Sequence, residues 1–414
     1  MKIFCRQLNL DVRAPLSKSV YHRELIINYI LSARGPYLDE LPDDNEDIRA
    51  TKSCLRALEN RDDETIILNC NESGSTLRFM IPVALACKSA AAKKLIFKTR
   101  GRLIDRPIEE IVECLKPFGV TVTKRREDNE IEVSGNIEAG RYVIDGSVSS
   151  QYISGLLMAL ASFDKESVIE VTGGVASVHY IELTTDALAR YGVNVVREGD
   201  NFKVPAKNAD TIPDGDFEVE GDWSNGAFLL CLGSLIHGGS AKVSGLRMDS
   251  VQGDREIMHF LKLAGVTFLV EGDTVFVQDS HINTVRKLLE MDCSDIPDIV
   301  PYMAVVGAFR AEKTVLKGIK RLRIKESDRA KAITEMLSAI GGKVTLEEDI
   351  ITIEYIDKIN GDIVLTSSGD HRMAMAAVLC AAATGRDIEL DDIDCLNKSF
   401  PEFRKVVEEE MILK

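Results

Sequence analysis

Residues 71–86 read NESGSTLRFMIPVALA, a small polar turn that runs directly into an apolar segment. Ser73 belongs to the residue types that cap helix N-termini, and the apolar segment predicts a helix with one apolar face. The same pairing of turn and apolar segment recurs at spacings of 76, 75, 72 and 74 residues. These spacings are measured between the markers Ser73, Ser149, Ser224, Ile296 and Asp370. A shortened copy occupies residues 15–31.

A second pattern lies between these copies, where a helix-like apolar end is followed by a glycine and a β-rich run. Its glycines are spaced 73, 73 and 76 residues apart, at Gly119, Gly192, Gly265 and Gly341. Together the two patterns predict a βαβ-type unit that occurs six times in 414 residues. Since one unit cannot bury its helix alone, we expect an α/β protein whose copies pack around shared cores. The alternative is chance regularity in an ordinary α/β chain.

The composition excludes several classes of function. The net charge of −15, from 51 basic and 66 acidic residues, argues against nucleic acid as a partner. No apolar run approaches the roughly 18 residues that span a bilayer, and the first residues lack the apolar core of a secretory signal, so we expect a cytosolic protein without a membrane segment. The nine cysteines include no CxxC pair, and no metal-ligand cluster or dinucleotide fingerprint is present, so we expect neither a metal nor a cofactor.

Cations and a carboxylate stand close to several of the polar turns. Lys18, Ser19 and Arg23 head the first predicted helix, and the triplet 370–372 leads into a very apolar one. Helix N-termini carry partial positive charge, so several of them aimed at one cleft would bind an anion, although each turn could equally be a simple cap. Asp298 is either a base with a shifted pKa or such a cap.

The densest charged stretch is 321–329, RLRIKESDR. Arg321, Arg323 and Lys325 alternate as on an extended segment and would then face one side. Glu326 precedes the start of a predicted helix near Asp328 and Arg329, where acids are favourably placed. Such a stretch is either a solvated surface or a local group of cations that binds an anionic ligand.

Eight short motifs together resemble those of the 5-enolpyruvylshikimate-3-phosphate synthases, in the family's order and over essentially the whole chain. They are SKSVYHR (17–23), GSTLR (74–78), GRLIDRPI (101–108), GSVSSQY (146–152), IPD (296–298), RIKESDR (323–329), GDHRMA (369–374) and KSFPEF (398–403). The resemblance implies an α/β fold of two similar domains, each of three βαβαββ repeats with helices inside and sheets outside, an inverse α/β barrel. It implies one domain at 16–221, a second at 1–15 plus 222–414, and an active site in the cleft between them.

The resemblance also implies a reaction, the transfer of the carboxyvinyl group of phosphoenolpyruvate to the 5-hydroxyl of shikimate 3-phosphate, with release of phosphate through a tetrahedral ketal. The shikimate 3-phosphate site implied is Lys18, Ser19, Arg23, Ser149, Ser150, Gln151, Ser177, Asp298, Arg321 and Lys325. The phosphoenolpyruvate site implied is Lys18, Gly74, Arg102, Gln151, Arg329, Arg372 and Lys398. An unsubstituted Gly74 implies room beside phosphoenolpyruvate and hence inhibition by glyphosate. No protein partner is implied, and we expect a monomer.

Three residues carry the implied chemistry. Asp298 resembles the base that faces the target hydroxyl, Glu326 a proton shuttle at the methylene carbon, and Lys18 an acid near the bridging oxygen. The chain departs from the family pattern at Glu72 and Arg321, where asparagine is frequent, and at Leu16, where glycine is frequent; the roles of Glu72 and Arg321 are therefore open. Two alternatives remain at this point: an enolpyruvyl transferase that acts on UDP-N-acetylglucosamine, and a phosphometabolite-binding protein without catalysis.

Overall fold

The computed structural model describes residues 2–3, 8–32, 35–36, 38–41, 44–208, 218–278, 286–398, 400 and 403, with the backbone alone at 397–398. The chain forms two compact units. One unit is continuous, Lys18–Val219, and the other joins Met1–Ser17 to Glu220–Lys414. We call them the continuous unit and the split unit. Among the described residues, no helix combines the length and the apolar character needed to cross a bilayer.

The described residues form eleven α-helices. Six belong to the continuous unit: α1 (Lys18–Leu31), α2 (Glu46–Leu58), α3 (Gly74–Cys87), α4 (Glu109–Leu115), α5 (Ser150–Leu160) and α6 (Val178–Arg190). Five belong to the split unit: α7 (Trp223–Leu235), α8 (Ile257–Leu263), α9 (Val300–Arg310), α10 (Arg329–Ala339) and α11 (His371–Thr384).

The strands divide in the same way. The split unit begins with β1 (Lys2–Ile3) and β2 (Asn9–Arg13), which precede the continuous unit in the sequence. The continuous unit contains β3 (Thr65–Asn71), β4 (Lys94–Thr99), β5 (Thr121–Arg125), β6 (Glu130–Ser134), β7 (Arg141–Asp145), β8 (Ser167–Thr172), β9 (Val196–Glu198) and β10 (Asn201–Val204). The split unit continues with β11 (Ser240–Ser244), β12 (Phe268–Glu271), β13 (Thr274–Gln278), β14 (Leu289–Asp292), β15 (Lys313–Lys317), β16 (Val344–Leu346), β17 (Ile350–Glu354), β18 (Ile363–Leu365) and β19 (Ile388–Leu390).

Four four-stranded sheets share one topology. They are β3-β4-β6-β5, β7-β8-β10-β9, β2-β11-β13-β12 and β14-β15-β17-β16. In each, the first two strands are parallel and the last two form an antiparallel hairpin. A three-stranded sheet, β1-β19-β18, contains the parallel pair β18 and β19 and adds β1 antiparallel to β19. The strand and helix order of these four copies is βαβαββ. The βαβ-type unit predicted from the spacing, and the βαβαββ order implied by the resemblance, are therefore confirmed in four full copies among the described residues.

Each unit buries helices behind its sheets. All thirteen residues of α7 are buried, and α3, α5, α9 and α11 are nearly as enclosed. Strands alternate instead between buried and exposed residues, as in β3 and β7, because a sheet with one solvated face alternates in this way. The buried apolar side chains form one core cluster in each unit. The fold is therefore the inverse α/β arrangement, with helices inside.

The recurring glycines have a backbone reason. Gly119, Gly192, Gly265 and Gly341 all have positive φ, between 73° and 105°. Each ends a helical segment, the last turn of which must reverse before the hairpin begins, and glycine enters the left-handed region without a Cβ clash. The four glycines thus mark the same corner of four successive repeats, which is why their spacing was visible in the sequence.

The polar turns cap helices at four of the five long copies. Ser73, Ser149, Asp222 and Asp370 accept hydrogen bonds from backbone N–H groups at the starts of α3, α5, α7 and α11. The fifth helix, α9, has Ile299 at its N-cap and no side-chain cap. The alternative in which Asp298 caps that helix is therefore wrong, and its carboxylate is available for other partners.

Candidate active site

The expected site residues fall on both units, and each unit gathers its own set. In the continuous unit, Lys18 begins α1, and its Nζ lies 2.8 Å from Oδ2 of Asp47 on α2. The Asp47 side chain is 8% exposed and that of Lys18 19%. Asp47 therefore holds the ammonium group in one place while leaving part of it open to solvent. Sequence reasoning missed Asp47, since a carboxylate in the first turn of a helix is common for other reasons.

A chain of hydroxyl groups joins this pair to the start of α3. Nδ1 of His22 lies 2.8 Å from Oγ1 of Thr51, which lies 2.7 Å from Oγ1 of Thr76. Thr76 donates to Oγ of the cap Ser73 at 2.7 Å. Burial lowers the pKa of His22 to about 3, and the charges of Lys18 and Arg23 oppose its protonation further. His22 is therefore a neutral structural link between α1, α2 and α3, and it takes no part in proton transfer near pH 7.

Gly74 is the first residue of α3, and a side chain there would collide with a guanidinium. A Cβ atom placed on Gly74 would overlap Nη1 of Arg106, and Nη1 of Arg78 would lie 3.5 Å away. The space beside Gly74, expected to be open, is thus filled by the end of the Arg106 side chain. Arg78 is 8% exposed and was not among the expected site residues, although both arginines lie inside the quoted motifs.

The turn before α5 is organised around Gln151. Its Oε1 accepts a hydrogen bond from Nη1 of Arg78 at 2.8 Å, and its Nε2 donates to Oγ of Ser75 at 2.9 Å. Ser149 caps the helix and Ser150 begins it, and both are buried. The α3 and α5 turns are therefore tied together through Gln151, which brings two expected binding segments of this unit side by side.

Arg23 and Ser177 are both more deeply buried than a solvent-facing ligand contact would be. Arg23 is 2% exposed and donates to Thr184 Oγ1, the carbonyls of Ser19 and Tyr180, and Ser154 Oγ. Burial lowers the pKa of Arg23 to about 10, so it stays charged near pH 7. Ser177 is fully buried, with a φ of 52° just before α6. A serine held in this conformation costs about 1 kcal/mol or more, and such strain is concentrated at functional sites.

Arg102 lies on the exposed side of a short 3-10 helix, Gly101–Asp105. The carboxylate of Glu72 lies against Gly101, since a Cβ there would be 2.6 Å from its Oε1. Glu72, whose role was left open, therefore stands beside the loop that carries Arg102. Its carboxylate places a negative charge near this loop.

In the split unit, Arg329 at the start of α10 joins three carboxylates. Its Nε donates to Asp370 Oδ2, its Nη1 to Asp298 Oδ1 and its Nη2 to Glu326 Oε2, each at 2.7 Å. Arg329 is 1% exposed and Asp370 fully buried, while Asp298 and Glu326 keep about a fifth of their side chains exposed. One buried cation thus holds two partly exposed carboxylates and is anchored by the third, which is fully buried. The sequence placed the triplet 370–372 at the start of a very apolar helix, but the partner of Asp370 could not be predicted from it.

Two further cations act on Asp298. Nζ of Lys325 lies 3.4 Å from its Oδ1, and Arg372 contributes from α11. Burial alone would raise the pKa of Asp298, but Lys325, Arg329 and Arg372 outweigh it and hold that pKa well below its ordinary value. Burial lowers the pKa of Lys325, and Asp298 opposes that shift. In the absence of substrate, Asp298 is therefore firmly ionised and a weak base.

The charged stretch before α10 does not form the extended segment that its alternation predicted. Residues Lys320–Ile324 form a 3-10 helix. Arg323 donates to the backbone carbonyls of Glu347 and Glu348, on the exposed surface. The prediction that Arg321, Arg323 and Lys325 face one side is wrong, because a helical turn of about three residues does not alternate.

Arg372 is 3% exposed and belongs to the same cluster. Its Nη1 donates hydrogen bonds to residues of two other helices: to the hydroxyl of Tyr302 on α9 at 3.0 Å and to Oδ1 of Asn225 on α7 at 3.5 Å. The guanidinium also lies 6.0 Å from the Tyr302 ring centroid. Its position is therefore fixed by α7, α9 and α11 together. The side chain of Lys398, also expected in this set, lies outside the described residues.

This pattern defines a class of protein: an inverse α/β fold whose acidic chain keeps its buried cations beside partly exposed carboxylates. Comparison with known proteins gives the family. A model of the family described as EPSP synthase (3-phosphoshikimate 1-carboxyvinyltransferase) matches residues 60–407. The chain belongs to this family.

Individual relatives agree with this assignment. The chain is 31% identical to the 3-phosphoshikimate 1-carboxyvinyltransferase of Clostridioides difficile (strain 630), with 98% of this chain and 96% of that protein covered. It is 33% identical to the enzyme of the same name from Clostridium novyi (strain NT), at the same coverage. Among solved structures, an EPSP synthase from Acinetobacter baumannii superposes with a TM-score of 0.74 at 19% identity, over 99% of this chain and 98% of that one. At that identity the superposition establishes the fold.

Proposed function

We propose that this chain transfers the carboxyvinyl group of phosphoenolpyruvate to the 5-hydroxyl of shikimate 3-phosphate and releases phosphate, a step in aromatic amino acid biosynthesis. The observation that carries the proposal is the cluster around Arg329, together with membership of the family. Both substrates are multiply anionic, and arginine forks bind carboxylates and phosphates in a bidentate manner. An acidic chain that places such cations next to two partly exposed carboxylates is suited to binding anions and moving protons on them.

We assign each of the two substrates to a set of residues. Shikimate 3-phosphate would be bound by Lys18, Ser19, Arg23, Ser149, Ser150, Gln151, Ser177, Asp298, Arg321 and Lys325. Phosphoenolpyruvate would be bound by Lys18, Gly74, Arg102, Gln151, Arg329, Arg372 and Lys398. The tied turns before α3 and α5 support the part of this assignment that lies in them, and the shared cluster of Arg329 and Arg372 supports theirs. The burial of Arg23 and Ser177 does not support their part.

Substrate binding would itself activate the catalytic carboxylates. Before binding, Arg329 is occupied by Asp298 and Glu326. A phosphoenolpyruvate carboxylate or phosphate that takes over these N–H groups releases both side chains. The pKa of Asp298 then rises from its depressed value, since it loses part of the positive charge that stabilised its ionised form. Asp298 becomes a stronger base only when the substrate is in place.

The proton balance assigns a role to each group. Glu326, once released from Arg329, takes up a proton from solvent and donates it to the methylene carbon, while the 5-hydroxyl attacks the adjacent carbon and loses its proton to Asp298. The resulting tetrahedral ketal phosphate carries a new methyl group. Removal of a methyl proton by Glu326 and departure of phosphate, with Lys18 donating a proton at the bridging oxygen, restore the double bond. Groups of this kind contribute roughly 10²–10⁴-fold each to the rate.

Phosphate release tests the function directly. We expect the chain to release phosphate from phosphoenolpyruvate when shikimate 3-phosphate is present, and to form the enol ether in equal amount. Release with UDP-N-acetylglucosamine in its place would favour the sister transferase. Binding of both substrates without release would identify a phosphometabolite-binding protein.

Cys114 argues against the sister transferase, in which a loop cysteine near this position takes part in the reaction. Here Cys114 lies within α4 and is 3% exposed. Burial raises the pKa of its thiol to about 12, so the reactive thiolate is scarce near pH 7. The comparisons also favour the shikimate 3-phosphate reaction, since the relatives carry that name.

Substitution of Gly74 by alanine should weaken the binding of phosphoenolpyruvate more than that of shikimate 3-phosphate. The new methyl group must displace the Arg106 guanidinium, which is the flexible end of a long side chain, so folding should survive. We expect the KM for phosphoenolpyruvate to rise by about tenfold, which corresponds to about 1.4 kcal/mol, while the KM for shikimate 3-phosphate changes little. Steady-state kinetics with each substrate varied in turn would measure this, and equal changes in both KM values would contradict it.

Gly361→Ala provides the control for the glycine-to-alanine change itself, because Gly361 is exposed and a Cβ atom there would meet nothing within 4 Å. Glyphosate belongs to the same proposal: we expect it to inhibit the unsubstituted protein in competition with phosphoenolpyruvate, and to inhibit the Gly74→Ala variant less. Activity that persists at high glyphosate concentration in the unsubstituted protein would refute this expectation.

The proposal also includes a monomer that works in the cytosol. Both substrates are small charged metabolites, and the residues assigned to them all belong to this one chain. Sedimentation in the presence of both substrates would test the oligomeric state, and a stable dimer at working concentrations would overturn that part.

A further inference from the structure

A fourth carboxyl group, that of Asp254, interacts electrostatically with the cluster around Arg329, and neither the family motifs nor the mechanism above uses it. Asp254 belongs to a 3-10 turn, Gly253–Glu256, that leads into α8. It is 5% exposed, although a carboxylate is rarely buried without a cation beside it. Its Oδ2 accepts a hydrogen bond from Oγ of Ser224 in the first turn of α7.

The first turn of α7 connects Asp254 to Arg372, one of the arginines assigned to phosphoenolpyruvate. Ser224 holds Asp254, and the next residue, Asn225, accepts a hydrogen bond from Arg372 at 3.5 Å. Asp222 caps the same turn by accepting from the Asn225 N–H at 2.8 Å. A displacement of the Asp254 carboxyl would therefore be transmitted to Arg372 through two adjacent residues.

The charged groups that face Asp254 include both a catalytic carboxylate and a substrate cation. Asp298 before α9 and Asp222 before α7 oppose its ionisation, while Arg372 on α11 and the hydrogen bond from Ser224 favour it. Its chain neighbour Arg255 is exposed and donates to the carbonyl of Met248, and His259 on α8 is exposed as well. The electrostatic partners of Asp254 are thus the site residues themselves.

We propose that Asp254 is a positioning residue of this site, which adjusts the strength of Asp298 as a base and the net charge around Arg372. The inference rests on the proposed function. It assigns a role in the reaction to a carboxyl group that is not itself in contact with either substrate.

The ionisation of Asp254 falls in the working pH range. Burial is the main reason that its pKa is raised to about 7, and the negative charge of Asp298 adds to this. Below pH 7 Asp254 is therefore mostly neutral, and above pH 7 it is mostly ionised. Because two nearby carboxylates resist ionising together, the ionised form raises the pKa of Asp298 and makes it a stronger base. The same ionisation adds a negative charge next to Arg372, which weakens the attraction for phosphoenolpyruvate.

The sign of the expected effect follows. An Asp254→Asn variant keeps an oxygen for Ser224 but cannot ionise, so at every pH it resembles the neutral form. We expect its kcat to match that of the unsubstituted protein at pH 6 and to fall at least about threefold below it at pH 8.5, because Asp298 stays the weaker base. Its KM for phosphoenolpyruvate should rise less with pH than that of the unsubstituted protein.

The ratio of the two kcat values, measured from pH 5.5 to 9, isolates this group. Substrate ionisations affect both proteins equally and cancel, so the ratio should change near pH 7. A Ser224→Ala substitution removes the hydrogen bond that favours the ionisation of Asp254. When the same kcat ratio is measured in that background, the pH at which it changes should therefore be higher. Asp249→Asn is the matched control: Asp249 lies five residues away, is exposed and pairs with Arg247, and its ratio should stay flat.

The outcomes separate the two proposals. A ratio for Asp254→Asn that is constant from pH 5.5 to 9 would show a structural role and overturn this inference, while phosphate release by the unsubstituted protein would leave the proposed function standing. Absence of release from the unsubstituted protein would overturn both. Thermal unfolding serves as the folding check, and the variant should be at least as stable as the unsubstituted protein at pH 8.5, since it no longer buries a charge.

Discussion

Replacement of Asp298 by asparagine is expected to lower kcat by about 10²–10⁴-fold, the usual contribution of a positioned general base. The amide keeps the size of the side chain but cannot accept the proton of the 5-hydroxyl. It also no longer neutralises Lys325 and Arg329, which lie 3.4 Å and 2.7 Å from its Oδ1. Substrate anions should therefore bind as tightly as before or more tightly, so the KM values should stay equal or fall.

Steady-state kinetics and equilibrium binding of shikimate 3-phosphate would measure both parts of this expectation. Asp292→Asn is a suitable control, because Asp292 lies six residues earlier, is exposed and accepts from Ser294, which an asparagine can also do. Turnover of the Asp298→Asn variant within threefold of the unsubstituted protein would remove Asp298 from the mechanism.

Replacement of Arg329 by leucine is expected to be the most damaging change to stability. It would leave Asp370, fully buried, without its cation, and would also release Asp298 and Glu326. Removing one partner of a buried ion pair costs about 3–5 kcal/mol, because the remaining charge is desolvated and uncompensated. The free energy of unfolding in urea at pH 8 would measure this loss, and phosphoenolpyruvate-dependent turnover should vanish with it.

Two comparisons sharpen the test of Arg329. Arg323→Leu removes an exposed arginine of the same stretch that donates to backbone carbonyls, so we expect a change of at most about 1 kcal/mol. At pH 4.5 part of the cost of Arg329→Leu should disappear, since carboxyls without their cation can become protonated. A variant as stable as the unsubstituted protein at pH 8 would mean that the Arg329 network contributes nothing to folding.

The fold was largely visible in the sequence because its repeat has a physical signature at two points. A helix buried on all sides must be apolar along its length, as α7 is, and a helix that reverses into a hairpin needs a residue of positive φ, as at Gly265. Both requirements return with every copy. The 3-10 helix at Lys320–Ile324 had no such signature, since alternating basic residues fit an extended segment equally well.

The site was only partly predictable, because its residues are defined by partners far away in the chain. Asp298 and Arg329 could be selected as site residues from their motifs, but the hydrogen bond between them could not be predicted. Asp47 and Arg78 were missed, as nothing local distinguishes an acid in a first helical turn or an arginine in an apolar helix from ordinary surface charge. Asp254 lies outside the recognised motifs, and its importance emerges only from burial and from the charges that face it. Contacts over long sequence separations are set by packing and leave little trace in local pattern.

The strand pairing of the split unit constrains the order in which segments of the chain can fold during synthesis on the ribosome. Residues 9–13 pair in parallel with 240–244, and residues 2–3 pair with 388–389, so the first segment made must wait for most of the chain before it finds its partners. The segment 18–219 needs no such delay, since those of its strands that the structure describes pair among themselves. Domains generally fold as units during synthesis. The nascent chain should therefore acquire protease resistance first in its middle, while its leading end is still unpaired and a natural substrate for holding chaperones.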